Sequence, residues 1–233
     1  TEEFNDNYLK KIFKKSNNLI KNFKKNLISN ETQIFRKNSE NLNCNRHFKV
    51  FNEFNIIPKY CFECYKVQIN LKSVVDLIKL FLIFDKLNLE NNNTRKCLVE
   101  LRDKVKGNYK GYIYCKGSSE ASHIKTQINE IITKKNLNVL KIDIKHGCTE
   151  FYKSYPDFEK INFNGDQKMK YNKNWSNKEK IIDLREPQRI KIDKKIWSKT
   201  IGGINLSDIL ILNNWISYAH ILGDFSYRNI YDQ

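Results

Sequence analysis

The middle of the chain contains short segments in which apolar and polar residues alternate, the pattern of a strand with one buried face. In the first of them, Tyr65, Val67 and Ile69 alternate with polar residues. A break at Gly107 and Asn108 favours a hairpin-like turn between two later segments. Four strands are predicted in this way, at residues 65–70, 96–102, 109–116 and 139–145.

Two segments between these strands have apolar residues at three- to four-residue intervals, which predicts helices. The first follows Ser73, a residue type that caps helix N-termini, and its apolar face is unusually wide. The second follows Ser118 or Ser119 and includes Ile124 and Ile128. The order strand, helix, strand, strand, helix, strand is that of the ferredoxin-like split βαβ arrangement. We therefore predict an α+β fold with a ferredoxin-like βαββαβ core, in which a four-stranded antiparallel sheet carries both helices on one face.

Helical patterns also lie on both sides of this core. Residues 4–29 combine apolar positions at helical spacing with many lysines, which predicts one basic amphipathic helix or two short ones. Residues 206–219 are strongly apolar and predict a helix that has to be buried, over the open face of the sheet or in an interface between copies of the chain. Residues 30–45 and 155–178 are polar and predict loops.

This organisation predicts three parts of the chain. They are an N-terminal basic helical segment with a linker (1–45), the ferredoxin-like core (46–150) and a C-terminal extension (151–233) whose loop and buried helix pack on the core. The apolar C-terminal helix also makes a homo-oligomer one of the expected assemblies.

The chain is strongly basic, with a formal net charge of +16 over 233 residues. A basic surface attracts the phosphate backbone of nucleic acids. The composition also fits AT-rich codon usage, since lysine outnumbers arginine about five to one and alanine occurs at two positions. Arginine makes bidentate phosphate contacts, so its scarcity weakens the argument from charge. Nucleic acid and a partner protein are both expected partners.

The distribution of apolar residues indicates the compartment. No apolar stretch approaches the roughly 20 residues that a transmembrane helix needs. The first three residues lack the basic and apolar regions of a secretory signal. We therefore predict a cytoplasmic protein without a transmembrane segment, whose six cysteines are reduced thiols or metal ligands rather than disulfides.

Four cysteine and histidine residues have the spacing of a zinc site. Cys44 and His47 form one pair of candidate ligands, and Cys61 and Cys64 form a second, with thirteen residues between His47 and Cys61. Two short pairs supply the four donors that a tetrahedral zinc ion needs. The second pair lacks a glycine that would turn backbone amides toward the sulfurs. Unliganded thiols are therefore the alternative.

The third predicted strand carries two aromatic residues, Tyr112 and Tyr114, on one face. Rings in this position can stack on the bases of a single strand. The segment from Lys110 to Tyr114 resembles the aromatic strand motif of the RNA recognition motif family, and residues 67–71 resemble its partner on the first strand. Gln68 stands where that partner has a ring. The resemblance implies that Lys110, Tyr112, Tyr114 and Gln68 contact nucleic acid.

A further candidate lies just after the last predicted strand, in the sequence from His146 to Cys148. Cysteine becomes a nucleophile when a neighbouring base accepts its proton. This makes Cys148 a candidate nucleophile, with His146 or His123 as its base. The alternative is a turn that exposes His146 without a chemical role.

Taken together, these patterns predict a binding or accessory module that recognises nucleic acid or a partner protein, with zinc as a candidate cofactor. The alternative is a cysteine- or metal-dependent enzyme that uses Cys148 and His146, or the set Cys44, His47, Cys61 and Cys64. The sequence contains no glycine-rich phosphate loop and no His-Glu-x-x-His helix, so no specific reaction is predicted.

Overall fold

The computed structural model describes residues 5–22, 27–37, 42–185 and 203–231. The strands in these residues are β1 (Gln33–Arg36), β2 (Cys64–Leu71), β3 (Arg95–Val99), β4 (Tyr109–Lys116) and β5 (Val139–His146). They form one antiparallel sheet in the order β1-β3-β4-β2-β5. The predicted α+β class is confirmed, and the sheet has one strand more than the four that were predicted.

Seven helices accompany the sheet in the described residues. They are α1 (Asp6–Lys21), α2 (Cys44–Phe54), α3 (Val74–Lys86), α4 (Gly117–Lys134), α5 (Pro156–Glu159), α6 (Ser176–Arg185) and α7 (Leu206–Ile221). The side chain of Ser73 accepts a hydrogen bond from the backbone N–H of Asp76 and so caps α3, as predicted. None of these helices is long and apolar enough to span a membrane.

The segments predicted to be loops contain regular structure, so these predictions were wrong in part. Residues 30–45 include β1 and the start of α2, and residues 155–178 include α5. The alternation in β1 covers four residues, too few for the pattern alone to identify a strand. β1 forms because it pairs with β3, which is distant in sequence. In the predicted N-terminal helix, residues 23–26 lie outside the described part of the chain.

The main core is built around α3, in which ten of thirteen residues are buried. A helix that is apolar on all sides needs cover on all sides. The sheet covers one side of α3, and α1 and α7 cover the other, where the rings of Phe81 and Trp215 lie 6.4 Å apart. One of the two positions predicted for the final helix, over the open face of the sheet, is therefore wrong. α7 rests instead on the apolar surface of α3.

Gly111 shows how closely α3 approaches the sheet. A Cβ atom at Gly111 would lie 2.4 Å from Cδ2 of Leu80 and 3.2 Å from Cζ of Phe84, both on α3. Space, and not backbone conformation, therefore requires glycine here. Because Gly111 faces the helices, Tyr112 and Tyr114 point to the opposite side of the sheet.

The addition of one methyl group at Gly111 tests this packing. We expect Gly111→Ala to lower the free energy of unfolding by about 1–3 kcal/mol, because α3 has to move away from the sheet. Gly165→Ala is the matched control, since a Cβ there meets only the flexible Asn162 side chain at 3.2 Å. We expect this control to change stability by less than about 0.5 kcal/mol. Urea unfolding measures both, and equal stability of the two variants would contradict the packing of α3 on β4.

Candidate nucleic-acid interface

The sheet has a second face, opposite α3 and α4, that carries polar and aromatic side chains. The strand register places one residue from each strand in a continuous row across it. Directly opposite residues in neighbouring strands share a face. We call this side of the sheet the polar face and define it by its central row, which runs from β1 to β5 through Phe35, Lys96, Tyr112, Gln68 and Asp143.

Lys96 lies between two aromatic rings in this row. Its Nζ is 5.4 Å from the ring centroid of Phe35 and 5.4 Å from that of Tyr112. Phe35 is 41% exposed, and Lys96 and Tyr112 are half-buried. Burial and the nearby Lys66 ammonium lower the pKa of Lys96 to about 8. The three side chains thus present a cation flanked by two rings.

Lys66 is the second cation of the polar face. Its Nζ lies 5.5 Å from the ring centroid of Tyr114 and donates a hydrogen bond to Sγ of Cys148 at 3.2 Å. Burial lowers the pKa of Lys66, but the neighbouring Cys148, Tyr114 and Cys64 groups raise it by more, so the net shift is upward. Within the described ranges, neither Lys66 nor Lys96 forms an ion pair with a carboxylate.

The four predicted nucleic-acid ligands all lie on the polar face, on the paired strands β2 and β4. Three of them are well buried: Tyr114 is 8% exposed, Gln68 4% and Lys110 1%. The amide of Gln68 donates to Oδ1 of Asn70 at 2.8 Å, and the Gln68 oxygen has no partner among the described residues. Tyr112 is the more accessible of the two tyrosines.

A buried ion pair holds Lys110. Its Nζ lies 3.2 Å from Oε2 of Glu100, and Nε of Arg102 donates to the same carboxylate at 2.8 Å. Burial raises the pKa of Glu100, but the hydrogen bonds from Arg102 and Lys110 lower it by more, to about 2. Glu100 is therefore ionised at neutral pH and neutralises Lys110 within the fold.

His146 is buried, with 1% exposure, so the turn after β5 does not expose it. Its ring stacks on Phe158 at a centroid distance of 4.1 Å. Nδ1 lies 2.8 Å from the carbonyl oxygen of Phe158, and Nε2 lies 2.9 Å from that of Phe62. Burial lowers the pKa of His146. Both ring nitrogens of His146 therefore contact backbone carbonyls. Among the described residues, Cys148 instead accepts a hydrogen bond from Lys66.

Three of the four predicted zinc ligands lie near one another, since, after burial, Cys64 and Cys44 both contribute to the raised pKa of Cys61. Cys44 begins α2, and Cys64 begins β2. Cys61 packs in a small apolar cluster, where burial raises the pKa of its thiol. His47 stacks on Tyr60 at a ring-centroid distance of 5.2 Å. No three His, Cys, Asp or Glu side chains in the described part of the chain form a group that could hold a metal ion. Zinc binding stays a prediction.

Three residues of the central row, Phe35, Lys96 and Asp143, were not among the predicted ligands. Phe35 lies in a segment that was predicted to be a loop, and the pairing of β1 with β3 places it beside Lys96. The alternation from Gln33 to Arg36 was the available indication of a strand. Lys96 was assigned to a strand, but a pattern within one strand does not identify the neighbours of that strand.

The Glu100 ion pair provides a test of the structural role of Lys110. We expect Glu100→Gln to lower the free energy of unfolding at neutral pH by about 3 kcal/mol, because it leaves the buried ammonium without a charged partner. The folded-state pKa of Glu100 is about 2, below its ordinary value of 4.5. Its contribution to stability is therefore present above about pH 4.5 and is lost as the pH falls toward about 2. Glu100→Gln lacks this part of the pH dependence.

Glu150→Gln is the control for this substitution. The Glu150 carboxylate is 40% exposed and pairs with Arg102, so we expect a loss below about 1 kcal/mol. Urea unfolding between neutral pH and about pH 3 compares the variants. A Glu100→Gln variant as stable as Glu150→Gln would show that the pair does not hold Lys110.

No protein-family model, curated protein or solved structure matches this chain. The function inferred for the polar face therefore rests on the residues and contacts of the chain itself.

Proposed function

We propose that the chain is a binding module that holds single-stranded nucleic acid on the polar face of its sheet. The proposal depends chiefly on Lys96, whose ammonium lies between the rings of Phe35 and Tyr112 and has no carboxylate partner in the described residues. An ammonium in this position can bind a phosphate, and the rings offer flat surfaces on which bases can stack.

The charges on the polar face favour an anion. Lys66 is close enough to Lys96 to contribute to the lowering of its pKa, so the two ammonium groups repel each other. A phosphate bound beside them would reduce this repulsion. Asp143, the carboxylate of the central row, pairs with Lys141 at 3.1 Å. The net charge of +16 adds a long-range attraction. Lysine binds phosphate as a point charge, so this contact does not depend on arginine.

The spacing of the rings favours a single strand over a duplex. Phe35 and Tyr112 belong to strands that are separated by β3, so they lie about 10 Å apart across the sheet. In a duplex, each base stacks on its neighbours, whereas unpaired bases can separate and stack on protein rings. The polar face can therefore accept two unstacked bases, with the connecting backbone beside Lys96.

The finer fold that we propose is a ferredoxin-like unit extended by one strand. The segment from β2 to β5 has the element order of such a unit, and β1 is added at the edge next to β3. In this arrangement β2 and β4 are the central strands of the unit, and they carry the residues that resemble the RNA recognition motif. The added strand extends the binding face by contributing Phe35.

Removal of single rings tests the stacking contacts. We expect Tyr112→Ala and Phe35→Ala each to weaken the binding of a fluorescent oligothymidine about 5- to 150-fold, which corresponds to about 1–3 kcal/mol. Tyr112→Phe should bind like the parent chain, because stacking needs the ring and not the hydroxyl. Phe163→Ala is the control, since Phe163 is a 55% exposed ring outside the polar face.

Fluorescence anisotropy at two salt concentrations measures these affinities. Absence of binding at low salt would overturn the proposal and favour a protein partner for the polar face. Binding that does not change in Tyr112→Ala would overturn the stacking contact.

The pKa of Lys96 gives the interface a defined pH dependence. The ammonium form binds phosphate, is present below a pKa of about 8 and is lost as the pH rises above it. We expect the affinity of the parent chain to fall between about pH 8 and 9.5, before ordinary lysines titrate. Lys96→Arg should remove this fall, because a guanidinium stays charged.

The salt dependence of binding provides a control at constant pH. Lys96→Met should reduce the slope of log affinity against log salt by about 0.7, the value for one phosphate contact to a single strand. Lys134→Met, on the exposed side of α4, should leave the slope unchanged. An equal slope in both variants, or a level pH profile for the parent chain, would contradict the assignment of Lys96.

A further inference from the structure

β5 has a free edge. It is the last strand of the sheet and pairs with β2 on one side, and no described strand pairs with its other side. The backbone N–H of Gly147 donates to the carbonyl of Cys64 at 2.7 Å. Bonded and non-bonded residue pairs alternate along an antiparallel ladder. Asp143 therefore bonds toward β2, while the backbone groups of Ile142 and Ile144 point outward.

A groove runs between this edge and α4. Its volume is about 1030 Å³, and it is lined by α4, β5 and Phe163. Leu140 and Phe163 are exposed beside it, by 63% and 55%. At the other end of β5, α5 packs close to the strand, where His146 contacts the backbone of Phe158. The part of β5 that lines the groove extends from Val139 to Ile144, with Ile142 near its middle.

We propose that this edge binds β5 of a second copy of the chain, antiparallel about a two-fold axis at Ile142, to form a continuous ten-stranded sheet. In this register Ile142 lies opposite itself, and Lys141 lies opposite Asp143 of the second copy. Leu140, which has no partner on β2 because the β2–β5 ladder is irregular there, lies at the end of the paired segment. The register uses the outward-pointing backbone groups as its hydrogen-bonding pairs.

Charge selects this register. Lys141 and Asp143 lie on the same face of β5 and already pair at 3.1 Å within the chain. An axis at Ile142 makes two symmetric Lys141 to Asp143 contacts between copies, and opposite charges in facing positions stabilise a strand pair. An axis at Asp143 would instead place Asp143 opposite itself and Lys141 opposite Lys145. An axis at Ile144 would place α5 and the residues around it against the second copy.

The side of α4 that faces the groove permits the close approach of the second copy. Most of its groove-lining side chains are short and polar, as in Ser122, Thr126, Asn129 and Thr133. A two-fold axis perpendicular to the sheet places both α4 helices on the same side of it, next to each other. This assembly does not use α7, and its contacts along β5 do not involve Phe35, Lys96 or Tyr112 of the polar face.

Sedimentation of the 233-residue chain without nucleic acid tests the proposal. We expect a dimer, and we expect Lys141→Glu and Asp143→Lys each to raise its dissociation constant about tenfold, because each places like charges opposite each other twice. The double variant Lys141→Glu with Asp143→Lys exchanges the charges and should restore the parent value. Lys145→Glu carries the same change in charge as Lys141→Glu but faces no charged residue in this register, and it should dimerise like the parent.

Amide hydrogen exchange gives an independent measurement if a variant folds poorly. In the parent chain, the amides of Ile142 and Ile144 should become protected as the protein concentration rises. A monomer at all concentrations, or a dimer that neither single substitution weakens, would overturn the proposal. Failure of the double variant to restore the dimer would overturn the register. These outcomes are separate from the nucleic-acid titrations, because no ligand is present.

Discussion

The structure depends on the burial of α3 on all sides. Ten of its thirteen residues are buried, so the helix cannot lie on the sheet with its outer side in water. α1 and α7 cover that outer side, which concentrates the apolar surface of this part of the chain on one side of the sheet. Burial of one large apolar side chain contributes about 1.5–3 kcal/mol. The apolar residues of α7 therefore gain more from packing on α3 than they would on a polar sheet face.

This asymmetry leaves the opposite side of the sheet without a covering helix from α1, α3, α4 or α7. The turn after β5 instead approaches it at one end, where Cys148 accepts the hydrogen bond of Lys66. Gly147 makes that turn, with φ at +55°, and a Cβ there would lie 2.5 Å from the Phe158 ring. The turn thus anchors α5 beside the sheet and leaves the middle of the central row, around Lys96 and Tyr112, half-buried.

The elements between residues 64 and 145 could be predicted because their patterns are local. Alternation identifies β2 and β5 within a few residues, and the wide apolar face of α3 identifies a buried helix. The environment of His146 could not be predicted in this way, since it depends on the carbonyls of Phe62 and Phe158. The contact between Phe35 and Lys96 likewise depends on which strands are neighbours, and a four-residue strand does not show this.

Two lysines of the polar face look equivalent in the sequence but have different partners in the structure. Lys110 and Lys96 both lie on this face, but Lys110 has the Glu100 carboxylate at 3.2 Å, whereas the described contacts of Lys96 are with two rings. A half-buried cation without a counter-ion is unfavourable in the free chain, and its pKa falls for that reason. A bound phosphate would remove this cost, while at Lys110 the Glu100 carboxylate already removes it. The proposed binding site is therefore the position whose charge the described residues leave uncompensated, and the abundance of lysine alone cannot locate it.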